Sequence, residues 1–374
     1  MSNQKITRKQ MQSILFMFWT GSLVVTASNK EVKQDFWICI LISALLFLPI
    51  ICIYDRLIKL YPGKNLFEIN DAVFGKIVGR IITAIYTMYA ILLASQLTKI
   101  FAVFIRVVNM AETPELITAA FMVLVGALVV TRGPENIARL AKFTWLVIVT
   151  FILFTFFAGF KDMEFSNMLP VMNSDFPTIL KVSAIRLILP LGESVLCLSL
   201  ISNMQPEENI KKIFLKALVF NTIIYIIVAI RNVTILGPFT QMYYFPSYEA
   251  VSIISLKEFF SRFEVLIGIN LMLNGSIKFC VCLYASSLGL SHIFKLPNYK
   301  AFTASCAILI ITLMQLLYKD LEQFFNFAPY GAISSVPYEI ILPIATWIGA
   351  EIRARMSSGT KSSKTSTNNS PEKT

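Results

Sequence analysis

Charge is scarce in this sequence. Charged residues make up 15% of it, against about 25% in ordinary soluble domains. That is too few to solvate the surface of a water-soluble protein of 374 residues. Histidine is scarcer still, with His292 standing alone, which removes most imidazole acid–base and metal chemistry. No Gly-rich phosphate loop, nucleophile elbow or metal-ligand spacing is present. The expectation is a non-enzyme with no catalytic residue, no metal and no cofactor. The six cysteines, Cys39, Cys52, Cys197, Cys280, Cys282 and Cys306, all lie in apolar segments and form no C-x-x-C pair. Membrane core packing accounts for them better than a disulfide or metal role.

Apolar runs fill the space that charge leaves. Hydrophobic residues reach 56% and come in blocks of about 20, the length that crosses the hydrocarbon core of a bilayer. Leu, Ile, Phe and Val run on without the alternation of a barrel strand, so the spans are helices. The fold class is an all-α integral membrane protein of about ten transmembrane helices. The spans fall near 10–28, 36–54, 80–105, 115–131, 141–160, 178–203, 213–236, 262–290, 301–318 and 332–350. A cleaved signal peptide is the rival reading of the first run. That run, Met11 to Ala27, is too long and too polar in its middle for one.

The net charge of +11 does not point to nucleic acid, because the cations sit in short loops between apolar blocks. With ten spans, 21 Lys and Arg fall on the side of the termini and seven on the other. This asymmetry places both termini in the cytoplasm. Residues 1–356 form one polytopic domain. Residues 357–374, rich in Ser, Thr, Asn and Lys, read as a disordered cytoplasmic tail.

The two half-chains, 10–160 and 178–350, match in span count. Each has an amphipathic segment after its second span, at 65–78 and at 246–260, on opposite sides of the membrane. This is the pattern of an inverted five-plus-five repeat, in which the first helix of each half is broken near the midplane. Span 1 carries Thr20-Gly21-Ser22 at its centre, and span 6 carries Pro190-Leu191-Gly192-Glu193. Gly and Pro also serve plain helix packing. The matched positions and the carboxylate favour a ligand site at Thr20, Gly21, Ser22, Leu191, Gly192 and Glu193.

Glu193 is costly inside a bilayer and must face protein or water. Binding an ammonium, carrying a proton and pairing with Arg186 or Lys278 are all open to it. Lys278 in span 8 is either a snorkelling residue or a fixed cation standing where transporters of this architecture hold sodium. Tyr86 and Tyr89 share a face of span 3, and Asn270 and Asn274 share a face of span 8. Tyr89 and Asn274 are assigned to the ligand site, with packing and interhelical polar contact as the alternatives. Tyr338 and Glu339 follow Pro337 in span 10, with no role assigned. His292 falls in a loop and reads as a solvated residue.

Four segments carry a family resemblance: Ile6-Thr7-Arg8-Lys9-Gln10, Leu60-Tyr61-Pro62-Gly63-Lys64-Asn65-Leu66, Arg132-Gly133-Pro134-Glu135 and Leu191-Gly192-Glu193. In these and in span count the chain resembles the B subunit of spore germinant receptors, within the amino acid/polyamine/organocation transporter superfamily. The resemblance covers about residues 5–355. It implies the inner membrane of an endospore, membrane-embedded A and lipoprotein C subunits as partners, and a small nutrient, typically an amino acid, as germinant. A sodium-independent amino-acid permease is the alternative function, and a structural subunit with a vestigial pocket is a third.

Overall fold

The computed structural model describes residues 5–21, 26–108, 112–205, 208–254, 264–317 and 321–366. Among these the regular structure is helical, apart from one isolated bridge between Ile6 and Met204. The first half comprises α1 (Arg8–Thr20), α2 (Phe36–Leu60), the short α3 (Leu66–Phe74), α4 (Lys76–Val108), α5 (Glu115–Thr131) and α6 (Pro134–Ala158). The second begins with α7 (Phe176–Arg186), a wide turn at Leu187–Leu191 and a 3₁₀ helix at Gly192–Asn203. It continues through α8 (Ile210–Leu236), the short α9 (Pro246–Ile253), α10 (Glu264–Phe294), α11 (Lys300–Leu317), α12 (Leu321–Val336) and α13 (Leu342–Ser366). A second wide turn, Pro337–Ile341, joins the last two.

Eight helical stretches are long and apolar enough to cross a membrane. With α1 and the 17-residue α5, the spans come to ten. The interfacial helices α3 and α9 occupy equivalent places after the second span of each half. The two halves interlock: α2 packs on α8, and α4 runs against α10. The second and third spans thus each meet their counterpart, as an inverted repeat requires.

Capping residues start the helices where the sequence supplies them. The Thr7 side chain and the Gln10 side chain cap α1 reciprocally, and Asn65 and Glu68 do the same for α3. Asp175 accepts from the Thr178 backbone N–H (3.1 Å) at the head of α7. The buried Asp35 carboxylate receives the N–H groups of Met172 (2.7 Å) and Ser174 (2.9 Å), fastening the segment before α7 to the start of α2.

Three local expectations change. The first span was expected to run to residue 28, but α1 stops at Thr20 and residues 27–29 are not helical. Ser22 lies outside the described residues. His292 is not simply solvated: its ring nitrogen meets Asp71 Oδ2 at 2.9 Å, tying α3 to α10. The last helix continues to Ser366, into the segment read as a polar tail.

Candidate functional site

The two breaks face the middle of the bundle. In span 6 the backbone leaves helical geometry at Leu189 (φ −103°, ψ 107°), where Pro190 supplies no N–H to continue the ladder. The following turn carries Gly192 and Glu193 inward, and both are buried. Glu193 Oε2 is ion-paired with the ammonium of Lys278 from α10. Side-chain exposure is 3% for Lys278 and 5% for Glu193, so neither charge reaches water as a snorkelling residue would. The ammonium also sits 5.2 Å from the centre of the Phe18 ring, a cation–π contact.

Glu193 does not pair with Arg186. Seven residues of unbroken helix would put both on one face, but the break at Leu189 turns them apart. Arg186 instead lies over the rings of Tyr225 (4.3 Å) and Phe36 (5.0 Å) and donates to the Tyr225 hydroxyl (3.1 Å).

A second carboxylate, Glu339, enters from the wide turn of span 10. It is fully buried. The Tyr89 hydroxyl donates to its Oε1, and its Oε2 has no hydrogen-bond partner among the described residues. This carboxylate packs against Gly192, where any Cβ would collide with it. Gly21 has a similar use: a Cβ there would lie 3.1 Å from Lys278 Cδ. The two glycines therefore hold open the space that the charged side chains fill. Next to Gly21, the Thr20 hydroxyl donates to Asn274 Oδ1 (2.8 Å), with the Phe16 carbonyl as competing acceptor (2.8 Å). Asn274 Nδ2, both side-chain polar atoms of Asn270 and the Tyr86 hydroxyl are buried and unpartnered among the described residues.

A cavity of about 220 Å³ opens beside this cluster. Tyr89, Glu193, Lys278, Pro190, Gln96 and Tyr338 are among its walls, and Tyr338 stacks on Tyr89 with ring centres 5.0 Å apart. Of the residues expected at a ligand site, Tyr89, Glu193 and Lys278 line the cavity. Thr20, Gly21, Leu191, Gly192 and Asn274 do not; they form the packing behind it. Ser334 and Ser335 also line it, and no sequence signal marked them. Glu339 carried a legible signal, an acid two residues after a proline in an apolar run, but its contact with Gly192 and Tyr89 did not show.

The family model for spore germination proteins matches residues 5–323. The chain belongs to that family. Spore germination protein KB of Bacillus subtilis (strain 168) is 24% identical over 360 residues, covering 94% of this chain and 95% of its own. Spore germination protein B2 of the same organism is 20% identical over 375 residues, covering 96% and 98%. Among solved structures, Mhp1, a nucleobase-cation-symport-1 family transporter in a closed conformation with bromovinylhydantoin bound, matches with a TM-score of 0.67 at 12% identity. The match covers 89% of this chain and 76% of that one. MhsT in complex with L-phenylalanine matches with a TM-score of 0.67 at 11% identity, covering 92% and 88%. This germination protein is therefore a multi-pass membrane protein with the inverted-repeat fold of a transporter.

The segments that carried the resemblance now have physical roles. Thr7 and Gln10 are the reciprocal cap of α1. Gly63 (φ 76°) makes the turn before the Asn65 cap of α3, and Gly133 (φ 112°) precedes Pro134 at the first turn of α6. Three of the four segments thus start helices. Only Leu191-Gly192-Glu193 belongs to the charged centre.

Proposed function

We propose that this chain is the nutrient-sensing membrane subunit of a spore germination receptor, and that its germinant is a small amino acid bound beside the Glu193–Lys278 pair. The observation that carries the reading is a buried ion pair on the wall of a small cavity, at the point where span 6 is broken. An α-ammonium can take Glu193 while the α-carboxylate takes Lys278. Two ion pairs then replace one, and no buried charge is left uncompensated. The volume, about 220 Å³, lies below the roughly 300 Å³ at which pockets for drug-sized ligands begin, which suits a single amino acid. The fold neighbours support this: MhsT holds L-phenylalanine and Mhp1 holds bromovinylhydantoin. Binding acts through differential affinity for two states. Inserting a ligand between Glu193 and Lys278 moves the 3₁₀ helix relative to α10, and that displacement is what partner subunits of the A and C types would read. The reading places the chain in the inner membrane of the spore, with both termini on the core side.

Germination of spores carrying this gene, triggered by amino acids, their decarboxylated amines and the matching hydroxy acids, tests the reading. Only molecules bearing both charged groups should trigger through this receptor. An amine or hydroxy acid as potent as the parent amino acid would refute it.

A sodium-independent amino-acid permease is the second reading, favoured by Lys278. Its ammonium would lie 3.8 Å from a Cβ on Gly21, so a fixed cation fills the space between the α1 break and α10. Replacement of sodium by choline should leave the nutrient response unchanged, and uptake of labelled amino acid into vesicles would separate carrier from sensor.

A further inference from the structure

A second, larger concavity lies away from the centre, at the end of the bundle where α1, α6 and α8 begin. These three helices pack on one another and leave between them a groove of about 450 Å³. Its floor is aromatic. Phe16, Trp145 and Phe220 meet edge to face or tilted, with ring centres 5.1 to 6.4 Å apart. Its rim carries Lys9, Lys142 and Lys216, one from each helix. All three lysines are exposed, and no acidic residue lines the groove. None of the three is in an ion pair among the described residues.

The positions along the helices set the depth. Lys9 is in the first turn of α1, Lys216 is six residues into α8 and Lys142 is eight residues into α6. At 1.5 Å per residue, the aromatic floor lies roughly 12–17 Å along the helices and the lysines nearer their starts, where the apolar runs begin, so the groove leads from the edge of the apolar layer into it. The surface beside it, with Phe143, Leu146, Val219 and Ile223 exposed, is a lipid-facing surface. A general excess of cations at one membrane face does not require three lysines around one aromatic floor.

We infer that this groove is a binding site for an anionic phospholipid, with its phosphate among Lys9, Lys142 and Lys216 and an acyl chain laid along Phe16, Trp145 and Phe220. The occupant is a lipid rather than a free anion because the floor is apolar and opens to the bilayer. A soluble phosphate would leave that floor bare. The inference is independent of the nutrient reading.

Trp145 provides the probe. The full chain is reconstituted in nanodiscs, and tryptophan fluorescence is followed as brominated-chain phosphatidylglycerol or phosphatidylcholine is added, with Trp145→Phe isolating the contribution of this residue. Phosphatidylglycerol should quench at several-fold lower mole fraction than phosphatidylcholine. The preference should weaken with each lysine changed to glutamine, be lost in the triple glutamine variant, and survive in the Lys9→Arg/Lys142→Arg/Lys216→Arg protein. Millimolar inorganic phosphate should not relieve the quenching. Equal quenching by the two lipids, an unchanged preference in the glutamine variants, or displacement by inorganic phosphate would each overturn the assignment. The lysines are exposed, so their substitution leaves the fold intact, and the arginine variant controls for it.

Discussion

The breaks in spans 1 and 6 occupy equivalent places in the two halves, yet they are built differently. At the first, α1 ends at Thr20, and the chain contributes a glycine and a hydroxyl. At the second, the chain passes through a wide turn into a tight helix and contributes a carboxylate. The charge that faces Glu193 is supplied by α10, in the second half, as is Glu339 in span 10. Charge at the centre is therefore concentrated in one repeat, while the other adds hydroxyl donors and packing around it. An inverted repeat fixes where a site can be, and the halves then divide the work unequally.

Substitutions can press on this inequality. Glu193→Gln or Lys278→Met leaves the other member of the pair buried and alone, and should lower stability by about 3–5 kcal/mol. The double variant should recover much of that in thermal unfolding of the purified protein, without recovering the nutrient response. If the singles unfold like the parent, the pair is not buried as described. The glycines come next. Gly192→Ala drives a methyl into the Glu339 carboxylate and should cost about 1–3 kcal/mol. Gly21→Ala meets a movable Lys278 methylene and should cost less. Equal losses at the two positions would remove the asymmetry between the breaks. Tyr89→Phe strips Glu339 of its one donor among the described residues and should cost about 1–3 kcal/mol, most of which should vanish in a Glu339→Leu background.

The smallest effect concerns the caps of the two equivalent helices. Thr7→Ala at α1 should cost about 1 kcal/mol at any pH. The cap of α7 is Asp175, whose carboxyl is held below the usual carboxylate range by hydrogen bonds from Thr178. A lowered folded value means that its contribution is present above the unfolded value and is lost as pH falls through the folded one. Unfolding scans from about pH 6 down to about pH 3 should show an acid-sensitive component that Asp175→Asn removes and Thr7→Ala leaves.

Ten spans, the equivalent interfacial helices and the positions of both breaks were legible in the sequence, because run length, Gly and Pro act locally. The pairing at the centre was only half legible. Lys278 and Arg186 were equal candidates for Glu193, and the choice between them turned on a kink at Leu189 that rotates one helix half away from the other. Glu339 stood out as a buried acid, but its contact with Gly192 joins residues far apart in the chain and depends on the extra residue accommodated in the turn at Pro337–Ile341. The cap at Thr7 and Gln10 was visible as a family signature before it was visible as a cap. Ser334 and Ser335 were unmarked, since a serine in a membrane helix can bond its own backbone, as Ser335 does to the Gly331 carbonyl at 2.9 Å.

The 3₁₀ helix at Gly192–Asn203 has a mechanical corollary. A 3₁₀ helix rises about 0.5 Å more per residue than an α-helix, and runs of 12 residues are unusual. Rewinding this one would draw its ends together by about 6 Å. One end is Glu193. The other, Asn203, accepts the Ile6 N–H at 2.8 Å, just ahead of α1. The segment thus links the ion pair at one end to the entry of the first span at the other.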